Sequence, residues 1–206
     1  REGGGKVKGG LAGGVACGKD FLGEALASYG CLVIQADDLG HQALSRGGEA
    51  YAPVVKEFGS EILTGGGDID RRALAARVFG DAGRLARLNA LVHPAVFRRE
   101  AELIAEFAAR EPAGIAVVEA AILVETGSYK RFDKLILVTC GEDQQLRRAL
   151  KRESAMESDV RARIGRQMPL AEKRKFADFV IDTSGEKADT LRQTRAVYDT
   201  LRRIES

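Results

Sequence analysis

The sequence predicts an α/β fold: a parallel sheet covered on both faces by helices and interrupted by a helical insertion. Three observations predict it. Short apolar runs at Cys31–Gln35, Ile115–Glu119, Lys134–Cys140 and Phe179–Asp182 alternate with segments of helical periodicity. A glycine-rich junction, GGVACGKD at 13–20, separates a first strand from a first helix. From about Ala50 to Arg110, helical patterns follow one another with no strand between them.

Taken in order, VKGGL is the first strand, weakened by Gly9 and Gly10. KDFLGEALASYG is a helix with Phe21, Leu22, Ala25 and Leu26 on one side and Gly30 after its end. CLVIQ is a short buried strand, and ADDLGHQAL turns into the next helix. In the insertion, YAPVVKEFG, DRRALAARVFG, RLARLNALV and PAVFRREAELIAEFAAR read as helices, and TGGGDID as a turn or hairpin-like loop. After the strands at 115–119 and 134–140, EDQQLRRALKRE is a basic helix, and SDVRARIGRQM and PLAEKRKFA are charged helices. FVID is the last strand. EKADTLRQTRAVYDTLRRI closes the chain, with Leu191, Val197, Tyr198 and Leu201 as a partial apolar stripe.

A chain of 206 residues, 45% hydrophobic and 30% charged, suits one compact domain with a small inserted part. A net charge of +2, no Trp and 6% aromatic residues argue against a nucleic-acid surface. No apolar run approaches a membrane span, and REGGGKVKGG lacks the apolar stretch of a secretory signal. Cys17, Cys31 and Cys140 form no zinc pattern and point to a reducing cytoplasm, with Cys17 read as a small filler. No feature of the sequence sets an oligomeric state.

The junction carries the first chemistry. Gly13, four residues, then Gly18-Lys19 fits a phosphate-binding loop. Backbone N–H groups of Gly13, Gly14, Val15, Ala16, Cys17 and Gly18 would close on phosphate oxygens at a helix N-terminus, and Lys19 would reach the β- and γ-phosphates. The next position should be Ser or Thr to hold Mg2+; here it is Asp20. A carboxylate is an acceptable hard ligand for Mg2+. At about 4 Å and an effective dielectric near 20, it would also repel a phosphate by roughly 4 kcal/mol.

Acids gather at the other strand ends. Asp37 and Asp38 follow the second strand, where one could accept a proton from an attacking hydroxyl and one could cap a helix starting near Leu39. Glu119 and Glu125, around the end of the third strand, are candidate Mg2+ ligands or caps and surface charges. Arg148 and Arg152 lie one helical turn apart and point the same way. Arg161, Arg163 and Arg166 lie on a segment with few large apolar residues, as in a mobile lid. His93 reads as a structural histidine between helices, and His41 as solvent-facing.

Together these pieces resemble the dephospho-CoA kinases over nearly the whole chain. GLAGGVACGKD resembles the family's glycine-loop opening, VIQADDLGH its V-I-D-A-D segment, and GDIDRRALAARVFGD with LNALVHP its D-R…H-P run. VVEAAILVETG, QLRRALKR, ARIGRQM and ADFVIDTSG match further motifs in order. The resemblance implies a three-layer P-loop kinase fold with a five-stranded parallel sheet, a helical substrate-binding insertion and a lid. It places the core at about 6–48 and 113–206, the helical part at about 49–112 and the lid at about 153–170.

The implied activity is transfer of the γ-phosphoryl of ATP to the ribose 3′-hydroxyl of dephospho-CoA, with ATP and Mg2+ bound. Carried over by position, Gly13, Gly14, Gly18 and Lys19 hold ATP, Asp37 is the base, and Arg148 and Arg163 contact phosphates. Arg71 and His93 fall in substrate-domain motifs, while Asp20 and Glu119 stand at the metal positions. The chain departs from the pattern at Ala12, Asp20, Gln35, Glu119, Ala121 and Thr183. Two readings follow: a kinase slowed by Asp20, or a kinase-like protein that binds nucleotide or CoA with little or no turnover. A different small-molecule P-loop kinase is disfavoured by the D-R…H-P run and by VIDTSG.

Overall fold

The structure is a computed structural model and describes residues 7–152 and 156–204. The first and the last two expected core residues and the first three expected lid residues lie outside the described residues. Five strands, β1 (Lys8–Gly13), β2 (Leu32–Gln35), β3 (Ala116–Glu119), β4 (Lys134–Thr139) and β5 (Phe179–Asp182), form one sheet in the order β2-β3-β1-β4-β5. The β1/β3, β1/β4 and β4/β5 ladders are parallel. Despite Gly9 and Gly10, β1 runs on to Gly13, because it is central and hydrogen-bonded on both sides.

The chain divides into two compact units: Gln35–Ala105, and the residues up to Ile34 with those from Glu106 onward. The sheet-centred unit carries α1 (Lys19–Ser28), α6 (Glu142–Arg152), α7 (Glu157–Arg166), α8 (Leu170–Lys173) and α9 (Lys187–Ile204). Leu11, Leu22, Leu26, Val117, Ile136, Val138, Ile181 and Leu201 fill its core. Along α9 the inward face is Thr190, Thr194, Val197, Tyr198 and Leu201. Leu191, expected on that face, is exposed, and Thr194 is buried in its place by donating its hydroxyl to the Thr190 carbonyl at 2.7 Å.

The second unit holds α2 (Ala36–Leu44), α3 (Tyr51–Phe58), α4 (Arg71–Val78) and most of α5 (Ala82–Arg110). Ala43, Val54, Ile62, Leu74 and Ala95 share its apolar cluster. Residues 35–48, which the sequence groups with the core, sit in this unit, Ala43 among them. The TGGGDID turn is hairpin-like, closed by a bridge between Leu63 and Ile69. The two helices expected around His93 are one continuous helix, α5, with Pro94 inside it. Proline removes one backbone donor there; buried Ala95 and Val96 anchor the helix just beyond the gap. No helix of the described residues is long and apolar enough to cross a membrane.

Candidate active site

The glycine loop runs from the C-terminal end of β1 into the N-terminus of α1, where parallel sheets place their ligands. Gly18 precedes α1 with φ 93°, a left-handed conformation that glycine adopts without steric cost, and no side chain caps the helix. The first-turn N–H groups are therefore left for a ligand. Gly14 is required for a different reason. A Cβ on it would stand 2.3 Å from the side-chain nitrogen of Gln145.

That nitrogen has a task. Gln145, buried on α6, donates Nε2 to the Val15 carbonyl at 3.0 Å. One turn on, Arg148 donates Nη1 to the Thr183 hydroxyl at 2.9 Å and Nη2 to the Thr183 carbonyl at 2.6 Å. The Thr183 hydroxyl donates in turn to the Cys17 carbonyl at 2.7 Å. Two loop carbonyls are thus held from outside, which fixes the orientation of the loop's peptide planes. The sequence alone points to neither holder. Gln145 is nonetheless the second glutamine of EDQQ and the first residue of the QLRRALKR motif, three before Arg148, so a signal is present. Thr183 reads only as a departure near the end of β5.

Lys19, half-buried, is the first residue of α1, and Asp20 follows it in the first turn. The Asp20 carboxylate does not stand bare: Arg152, on the same face of α6 as Arg148, pairs with it at 3.0 Å. Both side chains are about half exposed or more, at 65% for Arg152 and 50% for Asp20, so water and a ligand can compete for either. Glu119 ends β3 and is buried. Its Oε2 lies 3.4 Å from where a Cβ on Gly23 of α1 would stand. Glu125 is neither a cap nor a surface charge. It pairs at 2.7 Å with the fully buried Lys173 of α8 and accepts the Met168 N–H at 3.1 Å.

Arg163 is exposed on α7. That helix carries more apolar anchoring than its sequence suggests. Val160 is fully buried with Val15 and Ala149, and Ile164 packs against the same cluster. A cavity of about 360 Å3 opens beside the loop, lined by Gly14, Cys140, Gln145, Ile164, Met168 and Leu170 among others.

In the helical unit, Asp37 and Asp38 are in the first turn of α2, which starts at Ala36 rather than near Leu39. Gln35 occupies the N-cap position, so neither aspartate does. Arg71 opens α4, whose N-cap Asp70 accepts from the Arg72 and Ala73 N–H groups at 2.9 and 3.2 Å. Arg71 donates Nη1 to His41 Nε2 at 2.7 Å, so exposed His41 has a partner as well as solvent. His93, partly buried inside α5, lies against Phe97 one turn along, the rings tilted by 34° with their centroids 5.6 Å apart.

The family model described as dephospho-CoA kinase (CoaE) matches residues 8–189, which include the glycine loop, Asp37, Arg71, His93, Arg148 and Thr183. The chain belongs to the dephospho-CoA kinase family. It is 39% identical over 194 residues to a dephospho-CoA kinase of Aquifex aeolicus, covering 94% of this chain and 97% of that one. It is 38% identical to one of Thermobifida fusca, covering 96% and 97%. Among solved structures, TT1252 from Thermus thermophilus superposes with a TM-score of 0.81 at 32% identity, covering 95% and 98%. A dephospho-CoA kinase from Campylobacter jejuni superposes with a TM-score of 0.71 at 24% identity, covering 98% and 100%, a likeness of fold. A gluconokinase from Sinorhizobium meliloti, at 0.50 and 15% identity over 99% and 97%, extends that likeness of fold to other P-loop kinases. In this dephospho-CoA kinase family member the sheet, its helices and the loop at the end of β1 are those of a P-loop kinase.

Proposed function

We propose that this chain transfers the γ-phosphoryl group of ATP to the ribose 3′-hydroxyl of dephospho-CoA, releasing ADP and coenzyme A, in the cytoplasm. The observation that carries this reading is the uncapped glycine loop at α1, its carbonyls held by Gln145 and Thr183, in a chain of this family. The loop from Gly13 to Gly18 receives the ATP phosphates at the helix N-terminus, the Cys17 N–H being given to the Gly14 carbonyl. Lys19 and Arg148 offset the negative charge of the β- and γ-phosphates, and Arg163 adds a cation from α7. Arg148 remains fixed by its two bonds to Thr183 while its charge acts on the nucleotide.

Asp37 accepts the proton of the 3′-hydroxyl as that oxygen attacks the γ-phosphorus, and Arg71 and His93 serve the dephospho-CoA side. Asp20 and Glu119 supply two carboxylates, the number and donor type that Mg2+ takes when phosphate oxygens and water complete its shell. When bound, Mg2+ would neutralise charge on the phosphate oxygens. The reading without turnover is not favoured, because the full-length relatives are dephospho-CoA kinases.

The test is ADP release coupled to a reporter, with Mg·ATP and dephospho-CoA, and chromatographic detection of coenzyme A. ADP release that depends on dephospho-CoA is expected, and Asp37→Asn should lower it by about 10²-fold or more with circular dichroism unchanged. Nucleotide binding with no coenzyme A formed would overturn the catalytic reading.

A further inference from the structure

Cys17 sits in the glycine loop and Cys140 directly follows β4, 123 residues away in sequence, yet their sulfurs are 3.2 Å apart. We propose that Cys17 and Cys140 are an oxidative modification site, at which a hydroperoxide joins the two thiols in a disulfide that pins the glycine loop to the end of β4. A disulfide needs the sulfurs at about 2.05 Å, so closure asks for a movement of little more than about 1 Å.

Access favours Cys140 as the sulfur attacked first. Both thiols are buried, Cys17 completely, but Cys140 keeps 9% exposure and lines the cavity of about 360 Å3 beside Gly14 and a second of about 270 Å3 bordered by Thr139, Gly141 and Arg174. Charge favours the same order. The hydrogen bond with the Cys17 thiol, helped by the Arg148 guanidinium and opposed by burial, holds the Cys140 thiol below its ordinary range. The same bond, with burial, holds the Cys17 thiol above it. Cys140 is therefore the nucleophile and Cys17 the resolving thiol. The Cys140 sulfur attacks a peroxide oxygen, the O–O bond breaks, and Cys140 becomes a sulfenic acid as the peroxide is reduced to water or an alcohol. The Cys17 sulfur then attacks the Cys140 sulfur, the S–O bond breaks, and a second water carries off the remaining protons. Two thiols are oxidised and one hydroperoxide is reduced.

The bridge would draw on a residue whose carbonyl is held by Thr183 and whose N–H bonds the Gly14 carbonyl at 3.3 Å. Closing it strains the cradle that the ATP phosphates enter. Loss of nucleotide binding on oxidation rests on the function proposed above; formation of the bridge does not. Cys31 supplies an internal control, since burial pushes its thiol up to about 12.

The reduced full-length chain would be treated with hydrogen peroxide, alkylated, digested without reductant and analysed by mass spectrometry, with ATP binding followed by calorimetry. A linked Cys17–Cys140 peptide lighter by two hydrogens is expected, with Cys31 still alkylated. ATP affinity should fall by about tenfold or more and return on adding dithiothreitol. Cys140→Ser, compared with its own reduced sample, should lose no affinity on oxidation. The proposal is overturned if both thiols remain alkylatable at peroxide levels that oxidise free glutathione. It is equally overturned if Cys140→Ser loses affinity as the parent does. If the reduced chain binds no ATP, the functional reading fails while the linked peptide still decides the thiol chemistry.

Discussion

Arg148 and Thr183 are bonded twice, guanidinium to hydroxyl at 2.9 Å and guanidinium to carbonyl at 2.6 Å, and the same hydroxyl continues to the Cys17 carbonyl at 2.7 Å. The arrangement makes the position of a cation and the shape of the loop one property. Thr183→Val keeps the shape of the side chain and removes the hydroxyl, leaving a buried loop carbonyl without that donor, a loss of about 1–3 kcal/mol. KM for ATP should rise by roughly tenfold, and Thr183→Ser should restore it. Steady-state kinetics with both variants checks this; a Val variant within about twofold of the parent would remove the relay from the account.

Asp20 is expected to weaken ATP binding, and Arg152 to soften the effect. Asp20→Ser should tighten ATP binding by about tenfold, less than a bare carboxylate at phosphate distance would cost, because Arg152 already neutralises part of the charge. Arg152→Ala should weaken binding several-fold in the parent and less in the Asp20→Ser background. Calorimetry on the four proteins gives the coupling directly. Equal effects in both backgrounds would show that the pair is irrelevant to the site.

Lys173 and Glu125 form a buried ion pair under α8, with the lysine fully shielded from solvent. Lys173→Met strands the Glu125 carboxylate and should cost about 3–5 kcal/mol. Adding Glu125→Gln should recover most of that loss, since the amide oxygen can still accept the Met168 N–H. Urea unfolding of the single and double variants measures the difference.

Asp182 accepts hydrogen bonds from Ser184, which hold its carboxyl below the ordinary carboxylate range. The sign follows from linkage. A depressed folded-state pKa adds stability above the unfolded value near 3.9, and that stability is lost as pH falls through the lower folded value. Asp182→Asn should therefore be less stable at pH 7 by under about 1 kcal/mol, because the group is exposed, and the gap should narrow as pH falls from the unfolded value through the lower folded one. Thermal melts across that range test it.

Much of this is legible in the sequence. The strand at Phe179–Asp182 can be read to the residue, and the loop before Lys19 falls at its strand-to-helix junction. What periodicity cannot show are contacts between distant residues. Thr183 and Cys17 are 166 positions apart, and their meeting depends on the sheet order that brings β5 near β1's loop. Lys173 reads as one more charge in PLAEKRKFA, and only its partner Glu125 makes its burial tolerable. Pro94 reads as a break, but buried neighbours carry α5 through it. Leu191 reads as core, while Thr190 and Thr194 take the inner face of α9.

The amide of Gln145 occupies the space that any side chain on Gly14 would need. Position 14 cannot drift while that amide keeps its place. An alanine at 14 would push the amide off the Val15 carbonyl, adding a lost restraint to a steric clash. A shorter residue at 145 would make room for the alanine and release the loop. A lineage that replaces Gly14 must therefore move the Gln145 amide and find a new anchor for Val15, whereas one that replaces Gln145 loses the anchor alone.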